Sequence, residues 1–371
     1  MVIDRIEIAL DRIRAGRAAR HHLLVGLRGV GKTVLLDELA RRAEANGFAC
    51  VRIEAPEGRS LPAMIVPALR SALLRLDRGQ AALTRAKQAL SALRNFASAF
   101  HLEMGELSIG VAAAEPGTAD SGDLETDLPD LLCLVGAAAS ERGTALVLFV
   151  DELQYVREAD LAALITALHR AGQQGRPVAL VGAGLPQLFG LLGRAKSYSE
   201  RLFLFEDIGS LEPPAATRAL LVPARQEGVE IEPDAIDSIM AVTHCYPYFL
   251  QQWGAQCWDV ADASPVTAAD VALATPLAMA ELDASFFRVR FDRLTPREKQ
   301  YVRAMADLGD GPQRSGDVAA RLARTTAACG PVRDSLIRKG MIYSSEHGLM
   351  AFTVPLFADF MRRAMPELVT D

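Results

Sequence analysis

Gly26-Leu27-Arg28-Gly29-Val30-Gly31-Lys32-Thr33 fits G-x-x-x-x-G-K-[ST], the pattern of a phosphate-binding loop. The apolar run before it, Leu23-Leu24-Val25, reads as a buried strand. The run after it, Val34 to Ala40, reads as a helix with one apolar face. Strand, glycine turn, helix is the setting this motif needs. Glycines let the backbone bend and turn successive N–H groups toward an anion. The helix N-terminus adds partial positive charge. Gly26, Leu27, Arg28, Gly29, Val30, Gly31, Lys32, Thr33 and Val34 are therefore the expected nucleotide contacts. Lys32 is expected to reach the β- and γ-phosphates, and the Thr33 hydroxyl to ligate Mg²⁺. A chance match in a chain of this size has a probability of roughly 1 in 100 from average residue usage.

A second signal lies downstream. Ala145-Leu146-Val147-Leu148-Phe149-Val150 runs into Asp151-Glu152, a continuous apolar strand with two acids at its C-terminal end. Ligands of open α/β sheets bind at that end. Asp151 is expected to hold Mg²⁺, and Glu152 to polarise the water that attacks the γ-phosphate. The plainer alternative is an acidic pair capping the next helix.

Two absences narrow the nucleotide. Asn46 and Asn95 are the only asparagines, so no N-K-x-D guanine motif exists. The buried strand 178–182 continues as Ala183-Gly184-Leu185, without the polar residue that many ATPases of this layout carry there; Gln187 is the nearest substitute. Slow or assisted hydrolysis follows from that gap. Arg194, Lys196 and Arg201 come next, and Arg201, just before Leu202-Phe203-Leu204, is the favoured arginine finger. A basic surface helix is the competing reading for Arg194. His21 and His22 have no partner at metal spacing and read as structural or as lining the base.

Around these motifs the chain reads in three parts. Residues 1–208 alternate strands and helices, the pattern of a parallel sheet with helices on both faces. A helix is expected over 2–20, and a short hairpin over 100–111. Residues 209–290 read as an all-helical lid, with Pro233 and Pro247 in first helical turns. Its aromatic stretch Tyr246-Pro247-Tyr248-Phe249-Leu250-Gln251-Gln252-Trp253 reads as core or as packing near the nucleotide. Residues 291–371 open on a capping box, Thr295-Pro296-Arg297-Glu298, and continue as three helices, a hairpin around Glu346-His347-Gly348 and a last helix. That is the plan of a winged helix.

Composition bounds the rest. The chain has 371 residues, half of them hydrophobic, and no apolar run near the ~20 residues of a membrane span. Met1-Val2-Ile3-Asp4-Arg5 does not open a secretory signal. Five scattered cysteines without a C-x-x-C pair indicate neither a disulfide framework nor zinc, and a reducing cytoplasm is expected. Net charge is −6, yet residues 293–371 carry 12 Lys/Arg against 9 Asp/Glu, leaving −9 on the remainder.

Together these motifs resemble the AAA+ ATPases, in the branch near the origin-recognition and STAND-type ATPases. Gly26–Thr33 matches Walker A, Leu146–Glu152 matches Walker B, and Tyr246-Pro247-Tyr248-Phe249-Leu250 is similar to the G-x-P-Y-x segment of the archaeal-type lid. The resemblance implies ATP and Mg²⁺ as cofactors, self-association through the ATPase face, and double-stranded DNA or a protein as partner. Three features depart from the family. The polar residue of the fourth strand is missing, no arginine follows the lid segment to act as second sensor, and no G-R-E box precedes the first helix.

Three functions remain in play: an ATP-hydrolysing switch, a DNA-binding regulator that holds ATP with little turnover, and a STAND-like scaffold in which the winged helix is an internal clamp. A small-molecule kinase fits less well, because no acceptor domain is evident. For DNA, the candidate contacts are Arg324 at the edge of the recognition helix and Arg333 and Arg338 along it.

Overall fold

Strand β1 (His21–Val25) is buried along its whole length, as expected of a strand covered on both faces. The computed structural model describes residues 2–77, 84–102, 117–346 and 348–368. They fall into two compact units: Met1–Val25 with Lys32–Asp207, and Gly26–Gly31 with Ile208–Asp371.

The first unit runs α1 (Val2–Arg14), β1, α2 (Lys32–Ala45), β2 (Ala49–Glu54), α3 (Leu61–Asp77), α4 (Thr84–Ala99), α5 (Leu124–Glu141), β3 (Leu146–Asp151), α6 (Glu158–Gln173), β4 (Val178–Gly184), α7 (Leu188–Ala195), α8 (Ser199–Leu202) and β5 (Phe203–Asp207). All five strands are parallel, in the order β2-β3-β4-β1-β5. Alternate residues of a strand face opposite sides of a sheet. On β3, Leu146, Leu148 and Val150 join a core with Leu69, Leu93, Leu132 and Leu164 from α3–α6. Val147 and Phe149, equally buried, face the other side. The expected α/β architecture, a parallel sheet between helices, is therefore present.

Two expectations need comment. Helix α1 ends at Arg14 and not near residue 20, because Gly16 turns the chain with φ +70°. The hairpin expected over 100–111 falls mostly on residues outside those described.

The second unit is helical with one small sheet: α9 (Pro213–Gln226), α10 (Pro233–Thr243), α11 (Pro247–Val260), α12 (Ala268–Glu281), α13 (Arg288–Asp292), α14 (Pro296–Leu308), β6 (Gln313–Arg314), α15 (Ser315–Arg321), α16 (Thr326–Arg338), β7 (Ile342–Glu346), β8 (Leu349–Phe352) and α17 (Phe357–Ala364). A π-helical turn, Leu282–Phe287, joins α12 to α13. The strands pair antiparallel in the order β6-β8-β7. Prolines open α9, α10 and α11, where a missing N–H costs nothing.

One core runs through this unit. Phe249 and Trp253 of α11, Phe287, Tyr301 of α14 and Phe357 of α17 are all buried in it. The capping box at Thr295 is present: Glu298 N donates to Thr295 Oγ1 and Thr295 N to Glu298 Oε2. Buried Glu298 also accepts from Ser335 Oγ and Lys339 Nζ, each at 2.7 Å.

Candidate nucleotide site

Strand β1 ends at Val25, level with Gly184 of β4 and Asp207 of β5. The glycine loop follows β1 directly in the chain. Gly29 and Gly31 take φ of +85° and +89°, the region that only glycine enters without strain. A Cβ on Gly26 would lie 2.0 Å from the Ile208 carbonyl oxygen, so that position is closed to any side chain. Helix α2 starts at Lys32 and has no acid in its first turn, so its positive end is open to an anion.

The register of the sheet brings the acidic strand to the same edge. Val150 pairs with Gly182, which in turn pairs with Leu23. Asp151 is buried, and its two oxygens have separate tasks. Oδ2 accepts from Thr33 Oγ1 at 2.6 Å, and Oδ1 accepts from Glu152 N at 2.7 Å. A hydroxyl and a carboxylate at this separation are the hard oxygen donors that Mg²⁺ takes alongside water and phosphate. The donor set therefore fits the ion.

Glu152 leaves the strand abruptly, with φ 54° and ψ 37°. A left-handed non-glycine residue is costly and persists only where its surroundings enforce it. Here the Glu152 N–H is held by Asp151 Oδ1 and its carbonyl by Tyr155 N, at 2.9 Å, while its side chain is held by Gln154, which the sequence reading missed. Its Nε2 donates to Glu152 Oε2, and its Oε1 accepts from Leu185 N at 3.0 Å. The buried amide thus ties the acid to the loop after β4.

That tie also accounts for the missing polar residue on β4. A Cβ on Gly182 would lie 2.2 Å from Leu153 Cδ1, and one on Gly184 would lie 2.8 Å from Gln154 Oε1. The space is filled by Leu153 and Gln154, from the turn after β3. Gln187, the substitute weighed from sequence, has its Oε1 buried without a hydrogen-bond partner among the described residues.

Two of the basic residues beyond β4 are held by acids. Arg194 pairs with Glu158 at 3.2 Å, and Lys196 pairs with Glu125, as a solvated basic surface would. Arg201 is exposed on α8, just before β5 begins beside His21. Strands of a parallel sheet run the same way, so Arg201 stands at the edge opposite Asp151.

His21 and His22 open β1 at that same far edge. His21 Nδ1 accepts from Leu180 N, and burial pushes its pKa down to about 4. His22 Nδ1 lies 3.2 Å from Glu206, which also binds Arg5. Burial lowers the His22 pKa, and Glu206 opposes that shift.

In the C-terminal unit the aromatic stretch is core: Tyr246, Phe249, Leu250 and Trp253 are buried. Its first turn also holds the glycine loop. Tyr246 Oη donates to the Arg28 carbonyl, and Tyr248 N donates to the Gly29 carbonyl at 3.1 Å. Arg324, just before α16, and Arg338, at its end, are exposed, and exposed Asp334 lies one turn before Arg338. Arg333 is half-buried and pairs with Asp334 at 3.2 Å.

No helix among the described residues is long and apolar enough to cross a membrane. No curated protein sequence matches the chain. Among solved structures, the RuvB Holliday junction branch migration motor of Thermotoga maritima is 16% identical with a TM-score of 0.47, over 94% of this chain and 90% of that one. The Aeropyrum pernix Orc1 protein, solved in complex with DNA, is 15% identical with a TM-score of 0.44, over 97% and 91%. Cdc6p from Pyrobaculum aerophilum is 13% identical with a TM-score of 0.44, over 98% and 93%. At this distance, what those proteins bind does not carry over. Residues 284–361 match the model described as Domain of unknown function (DUF8462). Residues 2–181 match the model of the AAA ATPase domain, and that match supports an AAA-type ATPase over this stretch.

Proposed function

We propose that this chain is an ATP-hydrolysing switch whose nucleotide state is read by a C-terminal winged helix. The observation that carries it is the constellation of Thr33, Asp151, Glu152 and Gln154 at the C-terminal edge of a parallel sheet, with positive-φ glycines just before Thr33 in the chain. In this reading Gly26–Thr33 is a Walker A loop and Leu146–Glu152 a Walker B strand. Loop N–H groups and the α2 N-terminus cradle the phosphates, and Lys32 neutralises the β- and γ-oxygens. Mg²⁺, held by Thr33 and Asp151, would supply charge neutralisation on the same oxygens. Glu152 accepts the proton of the attacking water. Gln154 aims that carboxylate and stands in for the polar residue that β4 lacks. Arg201, at the opposite edge, serves a neighbouring subunit's site, so full activity needs self-association.

Residues 291–371 form the winged helix, with α16 in the recognition position. Arg324 and Arg338 are its better DNA candidates, since Arg333 is engaged by Asp334. A second reading, the STAND-like scaffold with an internal clamp, has its own support. Arg28 N, in the glycine loop, donates to the carbonyl of Thr353 just after β8. Duplex DNA binding that weakens steeply with salt favours the first reading; its absence at low salt favours the clamp.

Glu152→Gln tests the chemistry. It keeps the shape but cannot accept a proton, so turnover should fall roughly 10²-fold or more with ATP binding retained. Full turnover in a steady-state phosphate-release assay would reduce Glu152 to a surface cap.

A further inference from the structure

A recess opens at the edge of the sheet opposite Asp151. His21, the first residue of β1, and Val178, the first of β4, line a cavity of about 290 Å³ together with Ile13, Arg17, Leu168 and Arg176. All of them belong to the sheet unit. His21 is 5% exposed, and its Nδ1 accepts from Leu180 N at 3.2 Å. Burial and the adjacent His22 bring its pKa down to about 4, so the ring is neutral near pH 7. A neutral imidazole that accepts at Nδ1 carries its proton on Nε2. That N–H has no acceptor among the described residues. His22, turned to the other face of the sheet, has Glu206 instead.

The positive charge at the recess is also unmatched. Arg17 is exposed and Arg176 half-buried, and neither forms an ion pair among the described residues. Arg176 Nε is sealed from solvent without a hydrogen-bond partner. Arg170, on the last turn of α6, is by contrast paired with Asp130 at 2.9 Å. No Asp or Glu among the described residues lines the recess. Partly desolvated charge and an unmet N–H are both unfavourable until an acceptor arrives.

We infer that this recess binds a small organic anion, with its oxygens on the His21 Nε2–H and the two arginines and its apolar body against Ile13, Leu168 and Val178. Guanidinium groups match the oxygens of carboxylates and phosphates. Ligand pockets span roughly 300–1,000 Å³, so a cavity at the low end suits a body of about one ring better than a nucleotide. The anionic head can be a carboxylate or a phosphate monoester, and the chemistry of recognition is common to both.

The inference does not rest on nucleotide binding, so its test is run in the parent and in Lys32→Ala. Benzoate and phenyl phosphate are titrated by calorimetry at pH 7 and constant ionic strength, with benzyl alcohol as the uncharged control. Saturable binding of at least one anion should survive Lys32→Ala and be about tenfold or more tighter than that of benzyl alcohol. Arg17→Gln and Arg176→Gln should each weaken it about tenfold, and Arg17→Gln, at an exposed position, keeps the test open if Arg176→Gln fails to fold. An oxyanion beside the ring favours its charged form, so saturation should raise the His21 pKa from about 4, read by NMR. The tighter of the two anions assigns the head group. No saturable binding of either anion, benzyl alcohol bound as tightly, binding lost with Lys32→Ala, binding indifferent to both arginine variants, or an unmoved His21 pKa at saturation would overturn the inference.

Discussion

Two of the buried carboxylates, Asp151 in the sheet unit and Glu298 in the helical unit, are held differently. Asp151 is held by neutral donors, the Thr33 hydroxyl and the Glu152 N–H. Glu298 accepts from a backbone N–H, a hydroxyl and the Lys339 ammonium. Burial alone would raise the Glu298 pKa, but those hydrogen bonds prevail and hold it at about 2. A carboxylate matched by the protein's own cation serves the fold. In the function proposed here, Asp151, oriented by neutral groups at a sheet edge, is left for a cation from solution. Both lie next to strained or capped backbone, and the two differ in whether a cation of the protein is among their donors.

Breaking the structural corner should have the larger effect on stability. Glu298→Ala removes the capping box, leaves Lys339 without its partner and leaves the Ser335 hydroxyl without its acceptor. The expected loss is about 3 kcal/mol, at the lower end for a broken buried pair because Lys339 is partly exposed. Chemical denaturation should show it. Asp151→Asn, in contrast, should cost far less stability while abolishing Mg²⁺-dependent ATP binding. Equal losses of stability in the two variants would erase the distinction.

Acid should divide the units by pH. His21 stays neutral when folded, with its pKa lowered from about 6.5 to about 4. The unfolded chain therefore takes up a proton first, and stability falls as pH drops from 6.5 toward 4, by about 3 kcal/mol in total. Glu298 is lowered from 4.5 to about 2, so its contribution is whole above 4.5 and is lost only as pH falls from there toward 2. The sheet unit should weaken first. His21→Phe, if it folds, should flatten the stability profile between pH 6.5 and 4; an unchanged slope would show that His21 is not the group responsible.

What was legible in the sequence follows from how each feature is written there. Buried parallel strands appear as unbroken apolar runs, so Leu146–Val150 and Val178–Val181 stood out. The glycine loop was legible because its φ values above zero demand glycine at Gly29 and Gly31. The capping box was legible because Thr295 and Glu298 have the right spacing. Gln154 was not, since a glutamine after an acidic pair looks like any loop residue until the fold shows where its amide reaches. The two-residue strand β6 has no pattern to read. The shared core of residues 208–371 depends on Phe287 and Phe291 meeting Phe360, which periodicity within either segment does not reveal.

The central claim is that the loop ending in Lys32 holds the phosphates of a nucleotide. Calorimetry of Lys32→Ala with ATP and Mg²⁺, on protein whose circular dichroism and melting match the parent, tests it most directly. Loss of most ATP affinity in the folded variant, by roughly tenfold or more for a removed charge-assisted contact, is the predicted result. Unchanged affinity in the folded variant would contradict it.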